Sequence, residues 1–467
     1  MIDSTRDQQL VNSLGRQNVL FVSDFFYPNC GGVENHMYHV AQCLLLAGHK
    51  VVVMTHAYGE RAGVRFMTNG LKVYYIPRLP FYEGNTFPTI FGNFRLLRVI
   101  LIREQITVVH AHQAFSTLSH ESILHARTMG YKTVFTDHSL FGFADGSSIH
   151  TNKLLKFTLA DTQHVICVSH TSKANTVLRS RIPPPRVSVI PNAVDTERFL
   201  PGPESRPPAP TINVVVISRL VYRKGSDLLI DLIPMVCKKL EHINFIVGGD
   251  GPKKVSLDEM VAKHGLGNRV EMLGNVTHAD VRNVLVRGHI FLNTSLTEAF
   301  CIAILEAASC GLLVVSTRVG GVPEVLPSDM LILEEPQAEN LCAGIERAVQ
   351  LVPTTCPFTF HDRVKEMYDW KDITRRVQVV YARAHQTHSD ELLPRLARYY
   401  TCGRFAGKLF CCVAVVNHLY WGFLEWMFPR KDIDLAPDVP SPGDLDNTPE
   451  TPTGSNSNMR DAPDVHT

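Results

Sequence analysis

The chain has 467 residues, of which 45% are hydrophobic and 19% charged, enough for about three packed domains and too apolar for a disordered protein. With 46 Lys and Arg against 45 Asp and Glu, no net field exists to recruit nucleic acid. The eleven cysteines are scattered, with no repeated C-x-x-C and no zinc-like spacing, and read as core thiols of a reducing compartment.

Residues 1–17 are polar and acid-bearing, so a disordered start without a cleavable signal peptide is expected. From 18 to 200, short β-branched runs alternate with helical patterns. NVLFV, KVVVMT, KVYYI, ITVVH, TVFTD, HVICVS and VSVIP read as strands, and VENHMYHVAQCLLLAG as a helix that stops at Gly48. Such alternation predicts a doubly wound parallel sheet, an α/β class. The run PGPESRPPAP, Pro201 to Pro210, is a linker. The pattern restarts over 211–385 with INVVVIS, INFIVGG, RVEMLG, HIFLNTS and LLVVST, giving a second Rossmann-like domain and a cleft between the two.

After a connector at 386–404, residues 405–428 are apolar for about the length a bilayer requires, despite Asn417, His418 and Glu425. A buried helix is the alternative. Arg395, Arg398, Arg404 and Lys408 before the segment outnumber Arg430 and Lys431 after it. That excess predicts one transmembrane helix, cytosolic α/β domains and a luminal, disordered tail at 429–467.

The candidate chemistry sits at strand-to-helix turns. Arg219 and Lys224-Gly225 follow a strand and precede a helix, two cations suited to a diphosphate or simply a solvated loop. Gly31-Gly32 occupies the matching turn of the first domain, where glycine lets a ligand phosphate approach the backbone. In TEAFCIAILEAASCG, Glu298 falls in a turn and Glu306 on a helix, eight residues or about 12 Å on. Two carboxylates so placed can hold a sugar and a ribose on either side of a diphosphate, or serve as a helix cap and an ion-paired acid. His110, His112 and His138 follow strands and face either the cleft or the core.

Taken in order, Gly-Gly, Arg-x-x-x-x-Lys-Gly, Glu-x-seven-Glu and VGGVPE resemble the retaining, nucleotide-sugar-dependent glycosyltransferases of the GT-B fold, over about Val19 to Val380. The resemblance implies that Arg219 and Lys224 hold the donor diphosphate, Glu298 the transferred sugar and Glu306 the ribose. It also implies that the amides of Phe300 and Cys301 face the sugar or phosphate, and that His138, with His112 as a weaker candidate, handles the acceptor. Two positions depart from the family, which has glycine at Cys301 and at Ala193.

SDFFYPNCGGVE, HAHQAFSTLSHE, FTDHSLFGFAD and STRVGGVPEVLP, with the C-terminal apolar segment, are similar to the branch of that family that begins GPI-anchor synthesis. That similarity implies UDP-N-acetylglucosamine (UDP-GlcNAc) as donor and phosphatidylinositol as acceptor. It further implies the cytosolic face of the endoplasmic reticulum membrane and a multi-subunit complex. A mannosyltransferase on inositol lipid or polyisoprenyl diphosphate, or a non-catalytic scaffold protein, are the rival readings. No metal or other cofactor is expected, because Arg219 and Lys224 supply the charge a divalent ion would, and Asp432-Ile-Asp434 and Asp444-Leu-Asp446 lie in the tail. The helical stretch NFRLLRVILIREQI, Asn93 to Ile106, either packs on the first sheet or rests its arginines on an anionic leaflet.

Overall fold

The computed structural model describes residues 4–437 apart from 30, 83, 141–145 and 389. The first domain is built on β1 (Asn18–Val22), β2 (Lys50–His56), β3 (Gly63–Met67), β4 (Leu71–Ile76), β7 (Val108–His112), β8 (Lys132–Asp137), β9 (His164–Cys167) and β10 (Val187–Val189), while β5 (Pro80–Tyr82) and β6 (Asn85–Thr86) form a separate hairpin. The strand order is β10-β9-β8-β7-β1-β2-β4-β3, parallel throughout except that β3 runs antiparallel to β4. The second domain carries β11 (Ile212–Ile217), β12 (Ile243–Gly248), β13 (Val270–Gly274), β14 (Ile290–Asn293), β15 (Leu313–Thr317) and β16 (Leu331–Glu334) in the order β13-β12-β11-β14-β15-β16, all parallel.

The inner strands are continuous Val, Ile and Leu runs because helices cover both faces. Val19 through Val22 and Val51 through Met54 are almost wholly inaccessible. In each sheet the order reverses at the first strand, β1 between β2 and β7, and β11 between β12 and β14. Ligand crevices open beyond the carboxyl ends of strands at such switch points. The segments there are Ser23 to Gly32 in one domain and Ser218 to Gly225 in the other.

Several expectations need correction. Within residues 1–17, Ser4–Leu14 is a helix, packed on Trp370–Gln386 with Asp7 buried and paired to Arg383 at 3.1 Å. The helix Trp370–Gln386, read as the end of the second domain, packs chiefly on the first, against Ser4–Leu14, Gly32–Leu46 and β8. The connector holds a helix, Leu392–Tyr400, whose Arg395 and Arg398 each donate to Asp161 at 2.6 Å. Those two cations are therefore packing partners of a buried carboxylate, not free flanking charge. Burial opposes ionisation of Asp161, but Arg127 and Arg395 outweigh it and hold the carboxyl below its usual range.

The helix Ala406–Met427 is long and apolar enough to cross a membrane. Two of the polar residues that interrupt it, Asn417 and Glu425, are turned onto the first domain. Asn417 is fully buried and bonds His125 at 2.8 Å and Thr128 at 2.7 Å, and Glu425 pairs with the buried Arg98 at 2.9 Å. Leu409, Leu419, Phe423 and Trp426 are left exposed on the other side. After the helix, the Ala436 amide donates to the Arg103 carbonyl at 2.8 Å, so the described part of the tail lies on the first domain, and the remainder falls outside the described residues. The helix Phe94–Arg103 packs its Phe94, Leu97, Arg98 and Ile100 to Ile102 inward, as a core helix does, and leaves Arg95 exposed.

Candidate active site between the two domains

The site is assembled from turns at the two switch points. Past β11, the chain passes Arg219 and turns at Lys224-Gly225 before the Ser226–Lys239 helix. Gly225 has φ +70°, and a Cβ there would collide with the Thr294 carbonyl oxygen. Only glycine lets this turn lie against the end of β14. Thr294 returns the contact, its hydroxyl donating to the Lys224 carbonyl at 2.9 Å. The two loops are thus pinned together, and the Lys224 ammonium meets the Glu298 carboxylate. Burial works against the Lys224 charge, yet Glu298 raises its pKa above the ordinary lysine value. Ser295 donates a second bond to Glu298 at 2.9 Å.

The loop after Glu298 leads into the Ile302–Ser309 helix through Cys301, at φ +76°. That backbone explains why the resembling family has glycine here, and a left-handed residue other than glycine costs about 1–2 kcal/mol. Burial pushes the Cys301 thiol up to about 12. Ala193, the other departure, has no positive φ and strains nothing. Phe300 is buried against Tyr368, so its ring fixes the loop. Gly320 and Gly321 of VGGVPE lie under this loop, where any Cβ would strike the Glu298 and Ala299 carbonyls.

Glu306 projects from the same helix toward the other domain. His278 stands 3.3 Å from its carboxylate and 3.1 Å from Asn35, on the helix that Gly31-Gly32 begins. A cavity of about 190 Å³ lies here, lined by Glu306, His278, Asn35, Tyr27, Arg198 and Trp370 among others. Gly32 faces Ile302 across the interface, 3.4 Å from where a Cβ would sit. A larger cavity of about 680 Å³ reaches Phe300 and Glu324 but none of the charged donor candidates. Arg219 is exposed, and its charge reaches the buried Glu34, whose carboxyl burial holds above the usual range.

The histidines divide. His110 is a core residue, bonded to Tyr381 at 2.8 Å and Thr136 at 2.6 Å. His112 and His138 meet at 3.3 Å, and the His36 ring lies 4.7 Å from that of His138. Nitrogens of His36, His112 and His138 lie within 4.8 Å of one another, the one such trio among the described residues that could hold a metal ion. Burial lowers all three pKa values, that of His36 to about 4. Three neutral imidazoles at this spacing can accept and pass a proton. Sequence reasoning missed His36 and Glu34. Their position in GGVENH, on the first turn of the helix after the glycine pair, was the available signal.

The domains are also stitched together beside the site. Ser169 donates to the Ala299 carbonyl at 2.7 Å, and Glu324 accepts from the amides of His170 and Thr171 at 2.6 and 2.8 Å, closing the N-terminus of a first-domain helix.

Two parallel-sheet domains meeting at a cleft of cations, carboxylates and imidazoles define a GT-B glycosyltransferase. Residues 203–354 match the family described as glycosyl transferases group 1, and 56–145 match PIGA (GPI anchor biosynthesis). Among solved structures of this fold, the chain is similar to sucrose-phosphate synthase from Thermosynechococcus elongatus, with 19% identity, TM-score 0.66, and 78% and 98% of the two chains covered. It is also similar to Anabaena HepE in complex with UDP and glucose, with 18% identity, TM-score 0.60 and the same coverage. Over 421 residues the chain is 61% identical to a protein of Arabidopsis thaliana named as one of the subunits of phosphatidylinositol N-acetylglucosaminyltransferase, covering 90% of this chain and 94% of that one. Its identity to the Homo sapiens protein of the same name is 53%, covering 91% and 88%. The chain belongs to the PIGA family of phosphatidylinositol N-acetylglucosaminyltransferase subunits.

Proposed function

We propose that the chain transfers N-acetylglucosamine from UDP-GlcNAc to an inositol hydroxyl of phosphatidylinositol with retention, on the cytosolic face of the endoplasmic reticulum and within a multi-subunit complex. The names of its relatives supply the sugar, the lipid and membership of an assembly. The observation that carries the reading is the pinned pair Lys224–Glu298 just ahead of the Ile302–Ser309 helix, whose Ile302 lies against Gly32 of the other domain.

In this reading Lys224 and Arg219 take the donor diphosphate, with Gly31-Gly32 and the amides of Phe300 and Cys301 close to it. Lys224 leaves Glu298 as the diphosphate arrives, and the freed carboxylate accepts hydrogen bonds from sugar hydroxyls. Glu306 holds the ribose in place of His278. Glu298 is the carboxylate nearest the sugar and serves binding, so no nucleophile stands beneath the ring as a double displacement requires. The inositol oxygen therefore attacks from the face that UDP leaves. The bond from C1 to the diphosphate breaks as the new C1–O bond forms. The hydroxyl proton passes to the departing diphosphate, and His138, with His112 behind it, orients that hydroxyl. Charge grows on the diphosphate as the bond breaks, and Lys224 and Arg219 stabilise it without a metal ion.

Microsomes from cells lacking the endogenous activity, re-expressing this chain and given labelled UDP-GlcNAc, test the reading. Label is expected in a lipid that phosphatidylinositol-specific phospholipase C cleaves. Label in another lipid would assign a different acceptor. No label, with the chain expressed and its partners present, would refute the reaction.

A further inference from the structure

An acceptor carrying two acyl chains cannot leave the leaflet cheaply, so its headgroup must enter a cleft whose mouth touches the membrane. One apolar element stands at that mouth. The β5–β6 hairpin belongs to neither large sheet, and the side chains it and its flanks display are Leu79, Phe81, Phe87 and Ile90, exposed by 81%, 73%, 62% and 48%. Phe81, in β5, and Phe87, just past β6, pair edge-on at 5.7 Å. Four large apolar side chains within twelve residues are not left in water without a use.

The root of the hairpin is fixed. The Thr86 amide and hydroxyl donate to Asp24 at 3.1 and 2.7 Å. Asp24 lies just past β1, at the first-domain switch point, and is held in turn by the Ser116 hydroxyl at 2.7 Å and the Leu118 amide at 3.0 Å. The hairpin is thus anchored at the crevice itself. On its other side Phe91 packs on Tyr420 at 6.1 Å, next to the exposed apolar face of the Ala406–Met427 helix. Arg78, bonded to Asn93 at 2.9 Å, and Arg95, stacked 4.3 Å over Phe428, add cations along the boundary, as an anionic leaflet requires.

We propose that the Phe81/Phe87 hairpin dips into the cytosolic leaflet beside the C-terminal helix and guides the inositol lipid from the bilayer into the cleft. Its occupant is lipid, because it continues the surface of the one described helix apolar enough for a membrane and is rooted where a lipid headgroup must arrive. The inference rests on the proposed acceptor, and the test keeps the two separable.

The intact complex, reconstituted in vesicles, is compared with F81S/F87S on two acceptors: long-chain phosphatidylinositol in the vesicle, and a short-chain, monomeric phosphatidylinositol. The variant is expected to raise KM for the vesicle lipid about tenfold, with kcat and the short-chain KM unchanged, and F81L/F87L to restore it. An equal change with both acceptors, or none with either, would overturn the proposal. A second arm needs no activity. Phe81→Trp should add fluorescence that brominated acyl chains quench, whereas Val255→Trp, exposed on the second domain, should add fluorescence that they leave intact. Equal quenching at both positions, or none at 81, would also overturn it. If the unaltered complex labels neither acceptor, the proposed reaction fails, and the quenching alone decides the hairpin.

Discussion

Replacing Glu306 with glutamine tests the proposed donor site. The side chain is 12% exposed, and His278 stands beside it at 3.3 Å. An amide fills the same volume and can still bond that imidazole, so folding should be preserved. What disappears is the negative charge that a ribose diol would bond. A hydrogen bond to a charged group contributes about 1.5–3 kcal/mol, and each 1.36 kcal/mol is tenfold in rate. The expected loss in kcat/KM is therefore about 10- to 100-fold, mostly as a raised donor KM. The assay is transfer from labelled UDP-GlcNAc over a range of donor concentrations, at matched expression and with melting temperature recorded. Equal kinetics would mean that Glu306 is merely the partner of His278 and that the ribose lies elsewhere. An unchanged donor KM with a much lower kcat would place the group in the chemical step instead.

Gly225→Ala should lower the melting temperature and abolish transfer, since left-handed backbone costs alanine about 1–2 kcal/mol before the clash with Thr294 is relieved; normal stability would refute the close approach. Lys224→Ala should cut kcat about 100-fold, because removing one preorganised donor to the developing diphosphate charge costs about 3 kcal/mol, and adding Glu298→Ala should cost little more; additive losses would mean the pair does not act as a unit. Burial holds His138 well below 6.5, so its neutral form persists until pH falls through that lowered value. The profile of kcat/KM should show no histidine limb between about pH 6 and 8, and a limb near 6.5 that vanishes in His138→Gln would refute this assignment. Transfer should survive dialysis against a chelator; loss restored by one divalent metal would turn attention to His36, His112 and His138 as ligands.

The parallel strands were legible because both faces of each sheet are covered, so β-branched runs such as NVLFV and INVVVI stand out. β3 was not, since four of its five residues are exposed and it pairs antiparallel at an edge. Arg219, Lys224 and Glu298 could be placed at strand-to-helix turns from sequence alone. The link between Glu306 and Asn35 through His278 could not, because it brings together Asn35 and His278, 243 residues apart in different domains. The same holds for the N-terminal helix, polar in sequence and anchored by Asp7 to Arg383. In the C-terminal segment, Asn417 and Glu425 looked like flaws in an apolar run. They are its attachment to the first domain, through His125 and Arg98, which no local pattern reveals.

The bonds from Ser169 to Ala299 and from the His170 and Thr171 amides to Glu324 bear on fidelity. The strand-to-helix loop that would grip the sugar is braced by the opposite domain, so its shape depends on the cleft being shut. In the proposed reaction, productive geometry then requires both halves to engage, which ties use of the donor sugar to the acceptor side being in place.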